Sequence, residues 1–299
     1  MEHFSEYELQ KYTSFKIGGK VKNVYFPFDT QEFIDLLKKL KKFKILGGMS
    51  NVLISSQGVV QDVILTKKYN RFELKENKIY AQAGAVGALL ANAAMEKGLS
   101  GLEFMCGFPG TIGGIVCMNA SANGQALADV FESALVYDCQ EDNTKIIKKE
   151  DMQFAYRESI IKTGRYVVLE VVLNLLVKTK EEVLSVMEKN KLFRKNKQPN
   201  LSMPNCGSVF KNPENDSAGR LLELAGAKGL SCGGARVYEN HANFIVNLNN
   251  ATSLEVSQLM KNMYNKVYEA FGIKLRPEVE YIGIKTKEEE EIWNEFLKN

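Results

Sequence analysis

The sequence predicts a chain of mixed strands and helices with more than one domain, and three observations carry that reading. Short stretches of alternating apolar and polar residues, the mark of half-buried strands, are interleaved with longer stretches at helical spacing. The 299 residues suggest roughly two domains at ~150 residues each. The glycine segments show neither G-x-G-x-x-G opening a βαβ unit nor G-x-x-x-x-G-K-[ST], so the fingerprints of the Rossmann and P-loop folds are missing.

Taken in order, Val21–Phe26 alternates and reads as a strand. Residues 30–42 follow as a helix, with Thr30 as N-cap and Phe33, Leu36, Leu37 and Leu40 at helical spacing. Phe43–Leu46 and Val52–Ser55 read as strands around Gly47, Gly48, Met49, Ser50 and Asn51, a turn that suits either a phosphate or a tight hairpin. Residues 62–83 alternate as strands. Residues 86–98 form an alanine-rich helix that Gly98 ends as a C′ residue. Strands are predicted at 131–139 and 166–177, with Arg157 between them. A helix over 180–198 stops at Pro199, and the breaker-rich QPNLSMPNCG is a linker. Beyond it come a helix at Ala218–Ala225 ending in Gly226, a helix at 253–271, the strand-like IKLRPEVEYIGI, and an acidic tail read as a solvated surface helix.

Composition bounds the function. Net charge is +3, and the one modest basic cluster is Lys191, Arg194, Lys195 and Lys197, which is no nucleic-acid footprint. Five cysteines without a C-x-x-C pair argue against disulfides or zinc and for a reducing compartment. The two histidines, His3 and His241, exclude a histidine-rich metal site, so no metal is expected. The polar, acidic N-terminus is not a signal peptide, and no apolar run reaches membrane-spanning length. The expectation is a cytoplasmic protein, monomeric, without nucleic-acid or membrane partners.

The densest glycine segment is Gly101–Gly124, GLEFMCGFPGTIGGIVCMNASANG. Glycine lets a ligand approach the main chain, and exposed N–H groups there suit phosphate. From these residues alone, a phosphate loop and a set of structural turns are equally good readings.

GGMSNVLI, GFPGTIGGIVCMNASANG, YRES, CGSVFKNP, AGAKGL, HANFIVN and LRPEVEYIG occur in this order. Together they resemble the UDP-N-acetylenolpyruvoylglucosamine reductase family, over nearly all of residues 11–284. Met49 stands where the family usually has a third glycine, and NASANG stands where NAGAYG is common; both read as tolerated variation. Lacking a long insertion after Arg157, the chain resembles the shorter, second type of the family.

The resemblance implies a vanillyl-alcohol-oxidase/PCMH-like FAD-binding fold of two α+β subdomains (1–60 and 61–198), an α+β substrate-binding domain (199–285) and the C-terminal helix (286–299). It implies non-covalent FAD, held by Gly47, Gly48, Met49, Ser50, Asn51, Gly107, Pro109, Gly110, Thr111, Gly113, Gly114, Asn119 and Ala120. NADPH is the implied hydride donor, and UDP-N-acetylglucosamine enolpyruvate the implied substrate. Hydride attack on the methylene carbon builds an enolate that needs positive charge and a proton. Arg157 matches the family arginine that binds the carboxylate, Glu278 the active-site glutamate, and Ser208 the proton donor. Tyr156, Lys211, Asn212 and Asn243 are implied substrate contacts, while His241 reads as structural. Without the resemblance, Arg157 and Glu278 read as surface charges and Ser208 as a turn residue. The rival functions are an alcohol- or lactone-oxidising flavoenzyme and a non-catalytic nucleotide-sugar binder.

Overall fold

The computed structural model describes residues 1–298. The chain divides into two compact units, each assembled from separate segments. The first comprises Met1–Phe4, Val24–Gly48 and Asp62–Phe193; the second comprises Ser5–Asn23, Met49–Gln61 and the chain from Arg194 on. Residues 1–60 are thus shared between the units, and the chain passes from one to the other within the Gly47–Asn51 turn.

In the first unit, Asp62–Leu65 lies between two parallel neighbours, the end of Lys20–Phe26 and Phe43–Leu46. The helix Thr30–Lys39 buries Phe33, Leu36 and Leu37. Its cap is Asp29 rather than the expected Thr30: the Asp29 carboxylate accepts from Glu32 N–H at 2.9 Å. Thr30 is drawn inward instead, donating its hydroxyl to Glu170 at 2.7 Å. A second, antiparallel sheet runs in the order Asn143–Lys148, Phe131–Asp138, Tyr166–Asn174, Lys78–Gln82, Phe72–Lys75. Its middle strand, YVVLEVVLN, is mostly buried, which suits a central strand rich in β-branched residues. The expected single strand over 166–177 breaks at Leu175, and Leu176–Val177 pairs with Leu99–Ser100. Gly98 closes the helix Gly87–Glu96 at φ +64°, the left-handed conformation expected of C′.

In the second unit, a sheet runs Asn205–Ser208, Phe244–Asn247, Ala235–Val237, Ser231–Cys232, beside the helices Ala218–Leu224 and Ser253–Phe271. Val52–Ile54 pairs in parallel with Glu280–Ile282. Phe43–Leu46 and Val52–Ile54 therefore belong to different sheets, which removes the hairpin reading of the turn between them. The C-terminal helix Lys287–Leu297 is not a solvated surface helix. Ile292, Trp293 and Phe296 are buried, the Trp293 indole donates to Ser257 Oγ at 3.0 Å, and Glu289 is fully buried, accepting from Ser253 Oγ at 2.6 Å. Its glutamates obscured an apolar stripe at i, i+1 and i+4. Among the described residues no helix is long and apolar enough to cross a membrane.

Candidate active site

In the first unit the two glycine segments meet. A Cβ built on Gly47 would fall 2.0 Å from Thr111 Oγ1, and one on Gly48 would fall 3.3 Å from Gly110 Cα. Residues 110–113 are held against residues 83–87 by backbone bonds: Gly87 N–H to Gly110 O (2.9 Å), Ile112 N–H to Ala85 O (2.8 Å) and Gly113 N–H to Ala83 O (2.8 Å). The loop then enters the short helix Ile112–Cys117. Gly107 takes φ +83°. Pro109 and Gly114 are exposed, while Thr111 and Asn119 are buried. Gly47, Gly48 and Gly113 thus let these loops pack on one another, whereas a Cβ on Gly110 or Gly114 would meet nothing closer than 3.6 Å; backbone there is open to close approach, and the loop fits an FAD diphosphate.

Asn119 ties this loop to the turn carrying Arg157. Asn119, itself at φ +39°, donates from Nδ2 to Ala155 O at 3.0 Å and accepts at Oδ1 from Ala128 N–H at 3.1 Å. Ala155 and Glu158 bond each other's backbones, which closes the turn and holds Arg157 at φ +58°. Ser159 Oγ donates to Cys117 O at 2.8 Å, and Arg157 Nη1 donates to Ser121 Oγ at 2.7 Å. Tyr156 is exposed, its ring centroid 5.0 Å from the Arg157 guanidinium carbon.

In the second unit, Ser208 and Glu278 lie on neighbouring segments. Phe210 and Pro277 form an antiparallel bridge, with Glu278 N–H donating to Val209 O and Lys211 N–H to Arg276 O, both at 2.8 Å. Asn51 donates from Nδ2 to Glu278 O at 3.1 Å. The Glu278 backbone is therefore clamped on both sides, and its side chain is half-buried. Gly207, at φ +79°, sets up Ser208, and Ser50 O lies 3.8 Å from the position of a Cβ on Gly207. Ser14 completes the cluster, donating from Oγ to Asn205 O at 2.7 Å and Met49 O at 3.2 Å. Nothing in YTSFKIGG distinguished Ser14 in the sequence. Met49 takes φ +50° and is buried. That backbone costs on the order of 1 kcal/mol, and burial of its side chain contributes stabilisation of similar size.

Asn243 is 3% exposed, and its amide is committed to the backbone next to Ser208. Its Oδ1 accepts from Phe210 N–H at 3.0 Å and its Nδ2 donates to Phe210 O at 2.8 Å. That geometry makes it a brace for the serine segment. Asn243→Ala leaves both Phe210 groups buried and unpaired, and is expected to lower unfolding free energy by about 2–4 kcal/mol in urea titration. A loss under 0.5 kcal/mol would show that the brace is dispensable. Asn212, exposed, accepts from Ala218 N–H at 3.0 Å, and Lys211 is half-buried. Burial lowers the pKa of His241, whose Nδ1 accepts from Asn243 N–H at 3.3 Å. Burial, aided by the Glu278 charge, pushes the Cys206 thiol up to about 12, so it stays protonated.

Comparison with known proteins matches residues 198–282 to a family described as UDP-N-acetylenolpyruvoylglucosamine reductase, C-terminal domain, and residues 21–143 to an FAD binding domain. A UDP-N-acetylenolpyruvoylglucosamine reductase of Caldicellulosiruptor bescii is 41% identical over 95% of this chain and 91% of its own. One of Bacillus licheniformis is 39% identical over 93% of each. The crystal structure of the Thermus caldophilus reductase superposes with a TM-score of 0.80 at 32% identity, covering 94% of this chain and 98% of that one.

Proposed function

The chain belongs to the UDP-N-acetylenolpyruvoylglucosamine reductase family, and we propose that it uses NADPH to reduce UDP-N-acetylglucosamine enolpyruvate to UDP-N-acetylmuramate through FAD. Bound FAD would supply the hydride-transfer chemistry that links NADPH to the methylene carbon of the enolpyruvyl group. Gly47, Gly48, Gly110, Thr111, Gly113 and Gly114 would hold its diphosphate, with Met49, Ser50, Asn51, Gly107, Pro109, Asn119 and Ala120 shaping the surrounding loops. The matched ranges support cofactor binding within residues 21–143 and substrate binding within residues 198–282, with Tyr156 and Arg157 reaching the substrate from between them.

The substrate's double bond is conjugated to a carboxylate, so hydride addition spreads negative charge onto that carboxylate. Arg157 stabilises it with a planar fork of N–H donors. Glu278 is the carboxyl group assigned to the same developing charge, to which it donates a hydrogen bond when it has taken up a proton. Ser208 supplies the proton to the α-carbon. Lys211 and Asn212 bind acidic and polar groups of the substrate, Tyr156 packs beside it, and Asn243 braces the serine segment. The observation that carries this reading is the clamp on Glu278: Val209 beside Ser208 on one side, Asn51 on the other. The product supplies peptidoglycan synthesis, and through it cell shape and division. The protein works as a cytoplasmic monomer.

Turnover in deuterium oxide tests the reaction. The C2 position of the product lactyl group should carry solvent deuterium, while the hydride from NADPH appears in the methyl group. Deuterium absent from C2 would sink the proton-transfer step. Arg157→Lys keeps charge and loses the fork, so flavin content should stay normal while turnover falls about ten-fold or more. Turnover near wild type would remove Arg157 from this role.

A further inference from the structure

We infer that Ser121 is a positioning residue for Arg157: its hydroxyl holds the guanidinium in the plane that receives a carboxylate. The inference rests on the role proposed above for Arg157. An arginine has many rotamers, and holding it in one costs side-chain entropy unless neighbours fix it beforehand. Ser121 Oγ accepts from Arg157 Nη1 at 2.7 Å, the short range of charge-assisted bonds.

The acceptor stands on a rigid platform. Ser121–Ala122 pairs with Gln125–Ala126 through Asn123 (φ +53°) and Gly124 (φ +80°), the two left-handed residues of a type I′ hairpin. The hairpin is anchored by Gln125 Nε2 donating to Glu103 at 3.0 Å, Ala126 N–H to Asp129 at 2.8 Å, and Leu127 N–H to Ala120 O at 3.0 Å. The arginine's own turn is latched to the same loop through Asn119 and Ser159.

The chemistry of the acceptor matters as much as its place. A carboxylate at position 121 would orient the guanidinium and also neutralise it. A hydroxyl orients it without adding a negative charge of its own. Preorganisation of this kind acts on the step in which charge develops on the carboxylate.

The test is a double-mutant cycle on the flavin-loaded protein, with both half-reactions followed by anaerobic rapid mixing. Ser121→Ala should retain flavin and NADPH-driven bleaching, and slow reoxidation by the enolpyruvyl substrate about ten-fold. Ser121→Thr should recover most of that rate, because the hydroxyl is restored. In an Arg157→Ala background, Ser121→Ala should cost nothing further. An equal cost in both backgrounds, or none in the first, would overturn the inference while Arg157 kept its role. Wild-type reoxidation in Arg157→Ala itself would instead remove Arg157 from the site, and Ser121 with it.

Discussion

Ser208→Ala should leave NADPH-driven bleaching of the flavin nearly intact and slow reoxidation by the enolpyruvyl substrate by ~10²–10⁴-fold. The half-reactions separate because the serine proton is needed only after hydride has reached the substrate. Serine is a poor acid in water, yet an enolate spread onto a carboxylate is basic enough to take its proton in direct contact. The position is well fixed: Gly207 at φ +79° sets the strand end, and Phe210 is gripped at both its N–H and C=O by Asn243. The loss should fall on turnover more than on substrate affinity. Ser208→Cys, which keeps an acidic proton, should lie between wild type and Ala. Flavin lost together with both half-reactions would make Ser208 a structural turn residue.

Gly47→Ala should yield a folded protein that has lost most of its flavin. The added methyl would sit 2.0 Å from Thr111 Oγ1, well inside van der Waals contact. Thr111 is 6% exposed and β-branched, so its side chain has few alternative rotamers and little room. The strain therefore falls on the spacing between the Gly47–Gly48 turn and the Gly110–Thr111 loop, the surface assigned to the diphosphate. We expect FAD affinity to fall ten-fold or more by titration of the apoprotein, with circular dichroism unchanged. Thr111→Ala in the same chain removes Oγ1 and should restore part of the affinity. Full flavin content in Gly47→Ala would show that this close approach does not matter to the cofactor.

Much of this was legible in the sequence, for physical reasons that differ between elements. The helices Thr30–Lys39 and Ser253–Phe271 declare themselves by apolar spacing, and Gly98 and Gly226 mark helix ends by the left-handed conformation that helix ends favour. The cap of the first helix did not, because Asp29 and Thr30 are adjacent and either can cap. The first strand, Glu2–Glu8, has five exposed residues and no buried one, so its residues carry no burial pattern to read. The C-terminal helix misled through its run of glutamates, one of which is buried and hydrogen-bonded.

The candidate site divides in the same way. The glycine loops are visible because backbone access demands glycine. The bracing side chains Ser14, Asn51, Asn119 and Asn243 act through contacts remote in sequence, up to 227 residues apart for Asn51 and Glu278. The motifs single out Asn51, Asn119 and Asn243 as ligand contacts but do not show these bracing bonds, and no motif marks Ser14. Ser121, part of NASANG, read as neutral variation, while the fold gives its hydroxyl to Arg157.

The most direct measurement uses the purified wild-type protein under anaerobic conditions. It should be yellow, with absorption near ~450 nm, from flavin that acid precipitation releases entirely into the supernatant, because no histidine stands in either glycine segment to link it. NADPH should bleach that band, and UDP-N-acetylglucosamine enolpyruvate, added without oxygen, should restore it stoichiometrically with formation of UDP-N-acetylmuramate. A band bleached by NADPH that returns with oxygen and not with the enolpyruvyl substrate would contradict the assigned reaction and favour the oxidase reading. A colourless protein that cannot be loaded with FAD would favour the nucleotide-sugar binder.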